Sequence, residues 1–197
     1  PLDLCDSMSF TTLQEKLAAE KPEVAILINN AGGGTSMPIL EMTDEAYFKD
    51  INTDLLGLFK CLREFGKVMV KQGHGRIINI ASILGLVGEN GVPVAGYQSA
   101  KGGVVNLTRC AATELATTGV TVNAICPGFF PSEANGPAEM EAMDSFIRVN
   151  TPMDRPGLPS ELDKVGELEG AAVFLASDEA SYVTGAILPV DGGWTCH

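Results

Sequence analysis

Tyr97 and Lys101 stand four residues apart in the stretch "GYQSAKGG". On a helix this spacing puts both side chains on one face, one turn apart. A free phenol has a pKa of ~10 and is a poor base near neutrality. A nearby ammonium favours the phenolate and pulls that value down. The phenol can then pass a proton to or from a substrate oxygen. Ser82 ends the apolar run "IINIA", where its hydroxyl can bond the same oxygen and stabilise developing charge. Asn52 lies among apolar neighbours in "INTDLLGLF". Asparagine is a poor helix former, and in that place it suggests a local kink or a held water. Each residue also has an ordinary alternative: a surface Tyr-Lys pair, a loop hydroxyl, a satisfied buried amide. Two short segments add to the set. Asn29-Asn30-Ala31-Gly32 and Pro127-Gly128 place small residues where a flat ligand can approach the main chain.

Alternating strands and helices must position these groups. Ser7 to Glu20 has a helical pattern, with Ser9 or Thr11 as cap and Leu13 and Leu17 on one face. Residues 24–28 form a continuous apolar run, the pattern of a buried parallel strand. A long helix is expected from Thr43 to about Lys71, carried by Phe48, Ile51, Leu55, Leu58, Leu62, Phe65 and Met69. Further strands are expected at 76–80, 120–125 and 186–190. Further helices are expected at about 95–117, 140–149 and 162–176. Strict alternation implies a parallel sheet with helices on both faces. Ligands of such sheets bind outside the carboxyl ends of strands. Residues 29–32, 81–82 and 127–128 occupy those ends.

Composition narrows the function. A net charge of −12 opposes binding to nucleic acid or an anionic membrane. Five cysteines without a CxxC pair fit free thiols in the cytoplasm better than a disulfide framework. Two scattered histidines argue against a metal site. No apolar run reaches the ~18 residues of a membrane span. The chain has no internal repeat or linker, and residues 1–197 are read as one domain.

The ordered set resembles the short-chain dehydrogenase/reductase family. It comprises Asp3-Leu4, "NNAG" at 29–32, Asn52, "INIAS" at 78–82, "YQSAK" at 97–101, "VNAICPG" at 122–128 and "DGG" at 191–193. The resemblance implies an α/β, Rossmann-like doubly wound sheet. It also implies roles. Tyr97 would be the acid/base. Lys101 would lower its pKa and hold the nicotinamide ribose. Ser82 would position the substrate oxygen, and Asn52 would hold a water of the proton relay. Asp3 would touch the adenine, and Asn30, Ala31 and Gly32 would lie beside the adenosine ribose. Pro127, Gly128, Phe130 and Ser132 would lie near the nicotinamide. The family's glycine-rich pyrophosphate motif does not occur in residues 1–197, and Gly32-Gly33-Gly34 lacks its spacing. On the resemblance the first strands are therefore expected upstream of Pro1, and this is read as a partial domain. Ser82 and Tyr97 are fifteen residues apart, slightly more than the family's usual spacing.

The resemblance implies hydride transfer between NADP or NAD and a ketone or secondary alcohol, with NADP preferred. The loop after Gly128, "FFPSEANGPAEMEAMDSFIRVNTPMDRPG", is proline-rich and apolar in patches, as a lid would be. Its pattern resembles 3-oxoacyl reductases, including those of the rhamnolipid-pathway type. The expected substrate is a 3-oxoacyl thioester, with a sugar or polyol as the alternative. A homodimer or homotetramer is expected. A non-catalytic binding or oligomerisation module is the competing reading, because the phosphate motif does not occur in these residues.

Overall fold

The computed structural model describes residues 2–21, 23–89, 91–132, 137–160 and 165–196. Four parallel strands form one sheet in the order β1 (Ile26–Asn29), β2 (Gly75–Ile80), β3 (Val120–Pro127) and β4 (Ile187–Val190). Spatial order equals chain order, so each connection crosses over through helix. The helices are α1 (Ser7–Glu20), α2 (Asp44–Ile51), α3 (Leu58–Gln72), α4 (Ala95–Leu115), α5 (Pro137–Asn150) and α6 (Glu169–Ala176).

Alternation along the strands builds both faces of the sheet. Ile77, Val120 and Val122 pack with Leu62 and Met69 of α3 and Ala111 and Ala112 of α4. Nearer the strand ends, Ala81, Ala124 and Cys126 meet Leu58, Val104 and Val105. On the opposite face Ile78 and Ile125 meet Leu175 of α6. The expected two-sided sheet is therefore present. Its polar interior is paired as well. Asn79 accepts from Asn29 Nδ2 at 2.9 Å and donates to Thr108 Oγ1 at 3.0 Å, tying β1 to β2 and β2 to α4.

Several boundaries differ from those expected. Asp6, not Ser9 or Thr11, caps α1, accepting from the amides of Met8 and Ser9. An aspartate just before the first turn satisfies orphan amides and favours the positive helix end. The expected long helix is interrupted by a π-helical turn, Asn52–Gly57, between α2 and α3. The π-helical turn begins at Asn52, where a local kink or a held water was expected. α5 begins at Pro137, and α6 begins only at Glu169. Residues 161–164, the start of the helix expected there, lie outside the described residues.

The turn from α4 into β3 depends on Gly119. Its φ is +83°, and a Cβ there would collide with the carbonyl oxygen of Gly73. Gly119→Ala is expected to lower stability by about 2 kcal/mol or more. The midpoint of a urea titration checks this, and an unchanged midpoint would show that the turn relaxes.

Candidate active site

The carboxyl ends of β1, β2 and β3 lie side by side, and the groups singled out above gather over them. β2 ends in Ala81-Ser82, where Ala81 still donates to Ile125 of β3 at 2.8 Å. Ser82 is buried and its hydroxyl accepts from the Leu84 amide at 3.1 Å, closing a short 3-10 turn. The Tyr97 phenol lies beside this hydroxyl, near enough for Ser82 to favour the phenolate. Tyr97 sits in the first turn of α4, and Lys101 sits one turn later. The longer spacing between Ser82 and Tyr97 does not separate them.

Lys101 is almost wholly buried. Its Nζ donates to the Ile80 carbonyl oxygen at 2.9 Å and lies 3.3 Å from Asp54 Oδ1. The ammonium stands 5.3 Å from the centre of the Tyr97 ring. Among the described residues, two of its three donors are thus engaged. The third is available to a ligand hydroxyl.

Asn52 is not brought to this cluster. Its side chain is exposed, and Asp54 occupies the inward position two residues later with 0% exposure. The cause is helical phase. Asp50, Asp54, Leu58 and Leu62 recur every fourth residue and form the buried stripe, whereas Asn52 points away from it. That stripe was the available signal for Asp54, and the polarity of asparagine drew attention to the wrong residue. Both aspartates hold the loop after β1. Asp54 accepts from the Gly33 amide at 3.1 Å, and Asp50 accepts from the Thr35 amide at 3.0 Å and its hydroxyl at 2.9 Å. A Cβ on Gly32 would collide with Asp54 Oδ1 and come within 3.1 Å of Lys101 Nζ. Glycine there lets loop, carboxylate and ammonium share one place.

The electrostatics also differ from expectation. Burial pushes the Tyr97 phenol above its ordinary value. The Ser82 hydrogen bond opposes this, while Asp54 and Cys126 add to it. The net direction is the reverse of the lowering expected from Lys101, and burial is its main cause. Burial also pushes Lys101 down and Asp54 up, and in each case the partner's charge opposes the shift. Cys126, beneath them on β3, is pushed up to about 11 by burial and is therefore a neutral thiol near pH 7.

The remaining expected contacts lie along the same strand ends or near α1. Asn30, Ala31 and Gly32 are exposed in the loop after β1, and nothing lies within 4 Å of the place a Cβ would take on neighbouring Gly33. Asp3 is exposed in the turn before α1, and its carboxylate accepts from the Cys5 amide at 2.8 Å. Pro127 ends β3, and Ser132 is exposed beyond it. Gly128 and Phe130 line a cavity of about 340 Å³ with Thr151, Met153 and Asp191. This cavity adjoins the Tyr97 cluster without including it.

An apolar wall stands beside Tyr97. Val87, Val92, Phe129 and Phe146 pack with Tyr97 around Ile83, Leu84, Val94 and Trp194. Phe129 and Phe146 lie 4.9 and 5.6 Å from Trp194, centre to centre. Sequence reading missed Phe146 and Trp194, since neither has a local signal and α5 brings Phe146 in from a distance. The loop beyond α5 is fastened by Arg155, which donates to both oxygens of Glu167 at 2.8 and 2.7 Å. No group of three or more His, Cys, Asp or Glu among the described residues is arranged to hold a metal. No described helix is long and apolar enough to cross a membrane.

Known proteins are similar to this chain in sequence and fold. The sequence model described as enoyl-(acyl carrier protein) reductase matches residues 1–195. The 3-oxoacyl-[acyl-carrier-protein] reductase FabG of Escherichia coli K12 is 36% identical over 192 residues, covering 98% of this chain and 75% of the relative. A gluconate 5-dehydrogenase from Burkholderia cenocepacia, solved in complex with NADP and tartrate, superposes with a TM-score of 0.89 at 30% identity. That match covers 100% of this chain and 74% of the other. A 4-hydroxyisoleucine dehydrogenase complexed with NADH gives 0.87 at 32% identity, covering 100% and 80%.

Proposed function

This chain belongs to the short-chain dehydrogenase/reductase family, and from that premise we propose that Tyr97 is the proton donor and acceptor of an NAD(P)-dependent carbonyl reductase acting on 3-oxoacyl thioesters. The observation that carries the catalytic assignment is the buried Ser82 hydroxyl beside the Tyr97 phenol, with the Lys101 ammonium 5.3 Å from the centre of its ring.

The residues fit a nicotinamide nucleotide. The open backbone at Gly33 admits a flat ligand, and the third donor of Lys101 suits a ribose hydroxyl. Asn30, Ala31, Gly32 and Asp3 would hold the adenosine side. Pro127, Gly128, Phe130 and Ser132 would hold the nicotinamide side. When bound, the nicotinamide supplies or accepts the hydride. Ser82 and Tyr97 hydroxyls then both donate to the substrate carbonyl oxygen, fixing its place and stabilising charge as it develops. Tyr97 gives its proton to that oxygen, and the product is a secondary alcohol. In oxidation the phenolate takes the proton back. Lys101 fixes the phenol's electrostatic surroundings.

The apolar wall of Val87, Val92, Phe129, Phe146 and Trp194 supports an acyl chain over a polyol. With NADPH, kcat/KM is expected to rise about fourfold per added methylene across a series of 3-oxoacyl thioesters. Greater kcat/KM for a ketose or polyol, or no dependence on chain length, would overturn the substrate assignment. NADP is the preferred nucleotide of this reading, with NAD as the alternative. A cytoplasmic homodimer or homotetramer completes it. The thiols among the described residues are free, and Val173 and Phe174 leave an apolar face exposed on α6.

A further inference from the structure

Asp50 has no part in the reaction steps, yet its contacts reach the helix turn that carries Tyr97. The side chain is buried on α2 at 2% exposure. Its Oδ1 accepts from the Thr35 hydroxyl at 2.9 Å, and its Oδ2 accepts from the Thr35 amide at 3.0 Å. The same Oδ2 lies 2.8 Å from the place a Cβ would take on Gly96, the residue before Tyr97. We propose that Asp50 is a positioning residue for Tyr97, tying the first turn of α4 to the loop after β1 so that the phenol keeps a fixed place beside nucleotide and substrate. This deepens the proposed function and rests on Tyr97 being the acid.

Loop and helix meet along their length. Met37 donates to the Pro93 carbonyl oxygen at 2.7 Å and forms a parallel bridge with Val94. The Gly34 main chain lies against Tyr97, where a Cβ on Gly34 would come within 2.9 Å of the Tyr97 Cβ. Gly34 is itself flanked by two amides held on buried carboxylates, Gly33 on Asp54 and Thr35 on Asp50. Close packing passes a shift of Thr35 through Gly34 to the Tyr97 stem.

A carboxylate suits this place. Val94 precedes α4 and makes no side-chain capping bond. The free amides of a first helical turn carry partial positive charge, which favours an anion beside them. Asp50 supplies that anion from another element, and glycine at position 96 leaves room for it. The two carboxylates act at different points of the loop. Asp54 holds Gly33, next to the residues assigned to the adenosine side, whereas Asp50 holds Thr35, against the turn that carries the phenol. Loss of Asp50 is therefore expected to reach proton transfer more than nucleotide affinity.

The test measures kcat and KM with acetoacetyl-CoA and NADPH in wild type, Asp50→Asn, Gly96→Ala, Tyr97→Phe and the double variant of Asp50→Asn with Tyr97→Phe. Rates are expressed per NADPH-binding site, counted by fluorescence titration. Asp50→Asn keeps an acceptor for the Thr35 hydroxyl but removes the charge between Thr35 and α4. It is expected to lower kcat about thirtyfold with KM for NADPH changed less than about threefold, since a small misplacement of a reacting group costs up to on the order of 10² in rate. Gly96→Ala adds a methyl where Oδ2 now lies, although alanine is the better helix former. It is expected to fold and to lower kcat about tenfold. In the Tyr97→Phe background Asp50→Asn is expected to cost less than about twofold more, because the group it positions is gone. A merely structural role would lower the number of binding sites and leave kcat per site unchanged, or would cost the same factor with and without the phenol, and either result overturns the proposal. Should Asp50→Asn fail to fold, Gly96→Ala decides: an unchanged kcat per site overturns it. Normal turnover by Tyr97→Phe would instead overturn the catalytic assignment itself.

Discussion

Replacing Tyr97 by phenylalanine is expected to lower kcat/KM about a thousandfold while leaving the fold and nucleotide affinity intact. The size follows from the role, since a positioned acid/base contributes on the order of 10² to 10⁴ in rate. The selectivity follows from the contacts. Ser82 keeps its own bond from the Leu84 amide whatever stands at position 97, so the 3-10 turn survives. The ring of Tyr97 still packs against the apolar wall. Steady-state rates, far-ultraviolet circular dichroism and NADPH fluorescence titration together check this. A tenfold loss or less would mean that another group supplies the proton.

Lys101→Met is expected to damage both stability and turnover, with a distinctive dependence on pH. Methionine fills the space but leaves the Asp54 carboxylate buried without its cation. Breaking such a pair costs about 3 to 5 kcal/mol. Protonation limits the penalty. Asp54 already sits above its ordinary value because burial disfavours the charge, with Lys101 opposing. Without Lys101 it moves further up. A carboxyl raised in the folded state costs nothing below the unfolded value of about 4. The cost grows as pH rises through the window between the unfolded and folded values, and at pH 7 it cannot exceed about 4 kcal/mol, the free energy of holding the proton there. Urea midpoints measured from pH 4 to pH 8 should therefore converge with wild type at the acid end and separate steadily above it. A loss of equal size at every pH would show that packing of the lysine stem is what matters.

The sheet was legible because buried parallel strands are continuous apolar runs, and Ile77, Ile78, Val122 and Ile125 are such residues. Ser82, Tyr97 and Lys101 were legible because strand ends and the four-residue helical repeat fix where side chains point. Asn52 was misread through helical phase. Its polarity suggested function, but the buried stripe runs through Asp50, Asp54, Leu58 and Leu62. The Tyr97 environment was misread because burial disfavours the phenolate and Asp54 adds a negative charge nearby, and neither is visible in a Tyr-Lys spacing. The apolar wall was out of reach because Phe146 and Trp194 meet Phe129 only through tertiary packing of α5 and the segment after β4.

On the proposed function, the site moves a hydride to a carbonyl carbon while Tyr97 supplies the proton. The most direct measurement uses NADPH deuterated at the transferable position of the nicotinamide, with acetoacetyl-CoA as substrate and mass spectrometry of the product. One deuterium is expected on the carbinol carbon of 3-hydroxybutyryl-CoA, with near-complete loss of this product in Tyr97→Phe. Product formed without deuterium, or with deuterium at an unchanged rate in Tyr97→Phe, would contradict it.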